Sequence, residues 1–346
     1  MDTVQQQEIW REPCRGVCVD PASLGVSGIE YARLLADGSL PDSPIARLTG
    51  RRVVTAEAGA VTFSMPATEW LLGPKGRVLN SVLVFLAHGP GWLAVQSSLP
   101  AGVFCTMAEL SVTFLAPPPR AGTEIVAHGR LIHVDDANGL SEVFVRDAEG
   151  SLLAHATARC FVFPAAAGNP GAGTAMPAPN AERYPTPDPY ERPAGGAVVG
   201  DEVFEHSNGL EILRAQATGE LPQAPIHHLT GLRPSEVDQG RAVFVLPATN
   251  WLRNDAGAIF GGAIALLANS AAAAAVQTVA PDGTTYTALD VKVNFLRPVP
   301  ADGRNLVATG TTVHRGRHLV IATADVQDAD GRRVAMATGT TALGAS

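Results

Sequence analysis

Aromatic residues are scarce in this 346-residue chain, at 5%, and cysteine is scarcer still, with four in all. Few rings beside abundant alanine and 35 glycines mean that packing relies on close backbone approach. Cys14, Cys18, Cys105 and Cys160 are too few and too scattered for a disulfide framework. No second Cys pair or histidine tract completes a metal site around Cys14 and Cys18, so free thiols and no metal are expected. Charge is thin as well: 25 bases against 33 acids leave −8, with no basic block. A nucleic-acid binder shows a basic stripe, so no nucleic-acid partner is expected. The one long apolar run, 263–280, is mostly alanine and is broken by Asn269, Ser270 and Gln277. It reads as a buried helix rather than a membrane span, and no membrane association is expected. Met1-Asp2-Thr3-Val4-Gln5 lacks the charged and apolar regions of a signal peptide, which makes the cytoplasm the expected compartment.

What is present is a repeat. At an offset of 181 residues, Gly28-Ile29-Glu30 recurs as Gly209-Leu210-Glu211, and Leu48-Thr49-Gly50 as Leu229-Thr230-Gly231. Phe63-Ser64-Met65-Pro66-Ala67-Thr68-Glu69-Trp70-Leu71 likewise recurs as Phe244-Val245-Leu246-Pro247-Ala248-Thr249-Asn250-Trp251-Leu252. No gap is needed from residue 28 to residue 163, and about a third of the pairs are identical. The chain is a tandem duplication, and so long a period means two similar domains rather than a solenoid. The expected division is an N-terminal extension at 1–27, a first domain at 28–163, a Pro/Gly/Ala-rich linker at 164–199 and a second domain at 200–346.

Each copy has the same order of elements. A short helix (29–36; 210–217) precedes a strand that leads into Pro-Ala-Thr, then a long apolar helix, at 259–279 in the second copy. Strands follow at 287–295, 306–314, 319–328 and 333–342, with Asp330-Gly331 as a turn signal between the last two. One helix against about five antiparallel strands is an α+β unit. The alanines suit a helix that a curved sheet wraps on most sides.

Asn254-Asp255-Ala256-Gly257-Ala258-Ile259-Phe260-Gly261-Gly262 resembles the Asn-x-x-Gly-x-x-His-Gly-Gly signature of hotdog-fold thioesterases of the phenylacetate-pathway (PaaI-type) class. The strand Leu289-Asp290-Val291-Lys292-Val293-Asn294-Phe295 and the stretch Val313-His314-Arg315-Gly316-Arg317 are similar to later parts of that family. The resemblance spans nearly all of 209–343 and, more weakly, 28–163. It implies a double hotdog, two copies of a central helix wrapped by a curved antiparallel sheet. It also implies hydrolysis of an acyl-CoA thioester, with no cofactor because CoA is part of the substrate, and association of such chains into homo-oligomers. In the family the thioester carbonyl binds backbone amides at the helix N-terminus, where orphan N–H groups and the helix dipole favour an oxyanion. An Asp or Glu seven residues past the second glycine acts as base or nucleophile.

Here that position is Asn269, and Phe260 replaces the usual histidine. The first copy reads Gly73-Pro74-Lys75-Gly76-Arg77-Val78-Leu79-Asn80-Ser81, with His88 at the acid position. Neither copy keeps the carboxylate. Eight residues separate Gly261 from Asn269, roughly 12 Å along a helix, too far for carbonyl donor and base to serve one carbon from the same helix. In hotdog dimers the two central helices lie side by side and each site draws on both, so the resemblance implies that the two copies share sites. One site pairs Asn254, Gly261 and Gly262 with His88, and the other pairs Asn80 and Ser81 with Asn269. Only the first has a titratable base. Gly89-Pro90-Gly91 should end or kink the helix just past His88, and a helix end tends to hold a histidine protonated, so activity should fall below about pH 6.

Gly257, Phe260, Thr287 and Asp290 are candidate substrate-pocket residues, and Arg297, Arg315 and Arg317 are candidates for the CoA phosphates. His133 and His314 recur at one strand position and read as structural, and His227-His228 lacks a third ligand for a metal. The leading expectation is an acyl-CoA thioesterase. The rival is a non-catalytic acyl-CoA-binding protein that has lost the helix carboxylate.

Overall fold

The computed structural model describes residues 8–20, 24–163, 184–281 and 286–344. Parts of the expected N-terminal extension, 1–7 and 21–23, and most of the expected linker, 164–183, lie outside the described residues. The first half runs α1 (Gly28–Ala36), α2 (Pro44–Thr49), β1 (Arg52–Glu57), β2 (Ala60–Ala67), α3 (Asn80–Gln96), β3 (Phe104–Phe114), β4 (Thr123–Val134), β5 (Asn138–Asp147) and β6 (Leu152–Phe163). The second half runs α4 (Asp201–His206), α5 (Gly209–Thr218), α6 (Pro225–Thr230), β7 (Arg233–Asp238), β8 (Arg241–Pro247), α7 (Gly261–Gln277), β9 (Tyr286–Phe295), β10 (Asn305–Arg315), β11 (Leu319–Gln327) and β12 (Arg333–Leu343). Among the described residues each half thus carries six strands, one more than the sequence suggests.

Local chemistry explains the shared boundaries. Ser27 with Glu30 and Asn208 with Glu211 form capping boxes that start α1 and α5. Pro44 and Pro225 open α2 and α6, and Gly50 and Gly231 close them at φ 72° and 79°, a conformation cheap only for glycine. The strands form one antiparallel sheet in the order β1-β2-β4-β5-β6-β3-β9-β12-β11-β10-β8-β7. That order is a palindrome under the 181-residue offset. At the seam Ser111 pairs with Lys292, its own counterpart, so a pseudo-two-fold axis passes there. Lys292 and Glu109 add an ion pair of 2.8 Å beside it. Even the irregularities repeat, since β4–β5 shifts register at Leu131/His133 and β10–β11 at Thr312/His314. Bulges preserved between copies are features of the fold, not accidents.

The sheet curls round α3 and α7, which also pack on each other. Small residues allow this. A Cβ on Gly310 would lie 2.0 Å from the Ala271 carbonyl oxygen, and one on its counterpart Gly129 would lie 2.3 Å from that of Pro90. The helix break expected at Gly89-Pro90-Gly91 does not occur, and α3 continues to Gln96. Pro90 forfeits one helical hydrogen bond, a cost of about 3 kcal/mol. All three residues are buried, however, β4 approaches closely at Gly129, and the Ser141 hydroxyl donates to the Gly91 carbonyl at 2.6 Å. Tertiary packing outweighs the local breaker.

The repeat also reaches further than the ungapped match. Short 3-10 turns stand at Ile9–Arg11 and Pro189–Glu191. The Trp251 indole donates to the Glu12 carbonyl and the Trp70 indole to that of Arg192, both at 3.0 Å. Each N-terminal arm therefore lies on the opposite half, and an Arg192–Glu12 ion pair of 2.8 Å joins the arms.

Candidate active site

The N-terminus of α7 is fixed from both sides. Phe260 N–H donates to the Leu252 carbonyl and Ile259 N–H to that of Val299. The Phe260 carbonyl takes the amides of Ala263 and Ile264. The amides of Gly261 and Gly262 are thus first-turn donors with no intrahelical acceptor. Asn254 holds the preceding loop: its carbonyl accepts from Gly257 and its Oδ1 from Ala258 at 3.1 Å. Gly257 adopts φ +82°, which that loop requires.

The structure brings His88 to this point. A Cβ on Gly261 would lie 2.2 Å from His88 Nε2, so glycine is what admits the imidazole. Gly262 is equally constrained, since its Cβ would meet the Phe260 ring at 2.3 Å and the Phe85 carbonyl at 2.5 Å. Phe260 packs edge-on against His88 at 4.8 Å and against Phe85 at 5.0 Å, and Phe295 closes on His88 at 5.4 Å. His88 keeps a narrow exposed edge, while its Nδ1 is buried without a partner among the described residues.

Burial first, and the nearby Arg51 guanidinium second, push the His88 pKa down to about 3. This reverses the expectation of a helix-end histidine held protonated. Since α3 runs on to Gln96, His88 lies mid-helix among aromatic rings, and no terminal dipole compensates its desolvation. His88 is neutral at neutral pH.

Arg51, Tyr31 and Asp255 were not singled out by sequence reasoning. The Arg51 guanidinium stacks 4.2 Å over the Phe260 ring, and Asp255 and Tyr31 are its other electrostatic neighbours. The repeat alignment carried the missing signal: Arg51 faces Leu232 across the offset, and Tyr31 faces Ile212. Polar residues that replace apolar ones in an otherwise matching copy are not needed by the frame.

The second composite site is plainer. The Ser270 hydroxyl lies 3.4 Å from that of Ser81, and Asn269 is buried one position earlier on α7. Thr287 is exposed on β9, and Asp290 is half-buried between Thr113 and Thr340 on the flanking strands. The three candidate phosphate-binding arginines do not converge. Arg297 follows β9 near the Val299 segment that braces the start of α7, whereas Arg315 ends β10 and Arg317 lies in the next turn. The eleven residues of β10 separate these ends, by roughly 30 Å at strand rise, so one CoA cannot touch all three.

Desolvated histidines, His88 and His227 foremost, make stability depend on pH. His227, held by Gln223 at 2.6 Å, is also pushed down to about 3, chiefly by burial. Both folded-state pKa values lie below the unfolded value of about 6.5. The unfolded chain therefore binds more protons between about pH 3 and 6.5, and stability falls as pH drops through that window. The loss should approach about 1.4 kcal/mol per pH unit for each histidine. Urea titrations at pH 7, 6 and 5 should show the decline, and His227→Gln should remove only its own share of it. Equal stability at pH 7 and 5 would refute the assignment.

Residues 256–335 match the family model of the thioesterase superfamily. The chain is similar in structure to the acyl-CoA thioesterase II TesB2 of Mycobacterium marinum, at TM-score 0.51 and 12% identity, covering 87% of this chain and 98% of that one. The tesB protein of Mycobacterium avium subspecies paratuberculosis is similar to the same degree, with TM-score 0.51, 12% identity and the same coverage of 87% and 98%. No curated protein sequence matches the chain. The fold is a double hotdog, and its motif-bearing half carries the thioesterase-superfamily match.

Proposed function

We propose that the protein is an acyl-CoA thioesterase working at the interface of its two halves. The observation that carries this reading is the meeting of His88, from α3, with Gly261 at the N-terminus of α7. The superfamily match over 256–335 supports it. The thioester carbonyl would accept from the Gly261 and Gly262 amides, with Asn254 holding the loop before them. His88 Nε2 would take a proton from water as the water oxygen attacks the carbonyl carbon. The C–S bond then breaks, the sulfur leaves as CoA thiol once protonated, and the free acid remains. An imidazolium beside Arg51 is costly in the resting site. It becomes accessible because an oxyanion forms at the helix N-terminus in the same step, and opposite charges created together raise the effective basicity of His88.

One observation favours a second reading. With no carboxylate on α7 and with His88 so weak a base, the site suits a non-catalytic acyl-CoA-binding protein. Release of free CoA from a panel of acyl-CoA thioesters, measured beside calorimetric binding, separates the two. Hydrolysis supports the enzyme, binding without hydrolysis supports the carrier, and neither overturns both.

A further inference from the structure

The proposed hydrolysis uses the Nε2 edge of His88 and leaves unexplained three buried polar atoms linked through Arg51, the electrostatic neighbour of both His88 and Tyr31. Among the described residues the Tyr31 hydroxyl, Arg51 Nε and His88 Nδ1 all lack a hydrogen-bond partner. Tyr31 is 1% exposed and Arg51 7%. Among the described residues Arg51 makes no ion pair, although a buried guanidinium without one costs several kcal/mol. Asp255 faces both Tyr31 and Arg51 from the half-exposed loop, but it forms neither an ion pair with Arg51 nor a hydrogen bond of good geometry with Tyr31.

The cluster is specific to one half. Where the first copy has Arg51, Tyr31 and Gly89, the second has Leu232, Ile212 and Ser270. Leu232 and Ile212 are buried at 1% and 3% exposure, so the fold itself is content with apolar side chains there. Gly89 makes room for the charge, because a Cβ at that position would lie 2.9 Å from an Arg51 terminal nitrogen. Arg51 Nε–H and the Tyr31 O–H are donors, and His88 Nδ1 donates in one tautomer. Their complement is a group that only accepts.

Resting on the thioesterase reading, we propose that Arg51 and Tyr31 form a carboxylate-binding subsite, so that the preferred substrates are CoA thioesters of short dicarboxylic acids. Phe260 touches both His88, at 4.8 Å between ring centres, and the Arg51 guanidinium carbon, at 4.2 Å from its ring. The reacting carbonyl and the far carboxylate are thus separated by little more than one aromatic ring. With charge-assisted contacts of about 2.8 Å at each end, that gap suits a chain of about two to four carbons.

The test compares succinyl-CoA with butyryl-CoA, which share a chain length and differ in carboxylate against methyl. The wild type should prefer succinyl-CoA in kcat/KM by about tenfold or more, and Arg51→Leu should lower that ratio by at least about tenfold. Tyr31→Phe should lower it by less. A purely structural role would depress both rates together and leave the ratio unchanged, as would orphan groups satisfied by water; either result overturns the subsite. Leucine is the residue at the equivalent place in the second copy, which favours folding of the variant. If Arg51→Leu does not fold, free succinate should still raise the wild-type melting temperature where free butyrate does not, and equal effects of the two acids overturn the proposal. If butyryl-CoA is cleaved without discrimination, the thioesterase reading stands and the subsite falls. If neither thioester is bound or cleaved, both fall.

Discussion

Replacing His88 by alanine should lower thioester turnover by roughly 10²–10⁴, the usual worth of a positioned general base. The pH profile should distinguish this role from a structural one. A folded-state pKa of about 3 leaves His88 unprotonated through the mildly acid range. Wild-type kcat/KM should therefore stay level from about pH 8 to pH 5, with its acid limb near 3 rather than near the ordinary histidine value of about 6.5. Arg51 is the charged neighbour that adds to the burial effect on His88, and the other groups packed on the ring, Phe260 and Phe295, carry no charge. Arg51→Leu should consequently move the limb to higher pH without restoring it fully, since burial is the larger cause. Stability also declines below about pH 6.5, so initial rates should be read on samples whose near-ultraviolet circular dichroism still shows the native state. Equal turnover by wild type and His88→Ala would show that the imidazole only fills space beside Gly261. An acid limb near pH 6 would show that Arg51 and burial do not act on it.

The duplication, the order of elements and the meeting of His88 with Gly261 were legible in the sequence, because each follows from a period, a motif and the rise of a helix. The state of His88 was not. Its local context, Gly89-Pro90-Gly91, argues for a helix end, and only the approach of β4 at Gly129 and the Ser141 bond show why the helix continues. Arg51 was hidden for a similar reason: it lies 37 residues before His88, on a connection between α2 and β1 with no motif of its own. The crossed arms are hidden in the sequence because Glu12 and Arg192 are equivalent at an offset of 180, one less than the offset of the remaining repeat. A one-residue slip was enough to conceal a matching pair of tryptophan contacts.

Gly28→Ala should destabilise the fold by about 2–4 kcal/mol, the cost of forcing a group into a site that cannot yield. The Gly28 N–H donates to the Leu99 carbonyl at 3.0 Å, so the start of α1 meets the end of α3 head-on. An added Cβ would lie 1.7 Å from the Gln96 carbonyl oxygen, a backbone atom rather than a movable side chain. The same approach recurs at Gly209, whose Cβ would lie 2.3 Å from the Gln277 carbonyl oxygen. The positive end of one helix dipole thus meets the negative end of another in both halves, and glycine allows the contact. Alanine is the better helix former by about 1 kcal/mol, so local propensity alone predicts stabilisation, and the sign of the measured change decides between propensity and contact. Urea denaturation at pH 7 should show the midpoint shifted down with an unchanged slope, while kcat per folded molecule stays near wild type because Gly28 lies outside the His88–Gly261 site. A variant as stable as the wild type, or more so, would mean that α1 can shift away from α3 without cost, and that this helix-to-helix contact does not fix the frame on which the site is built.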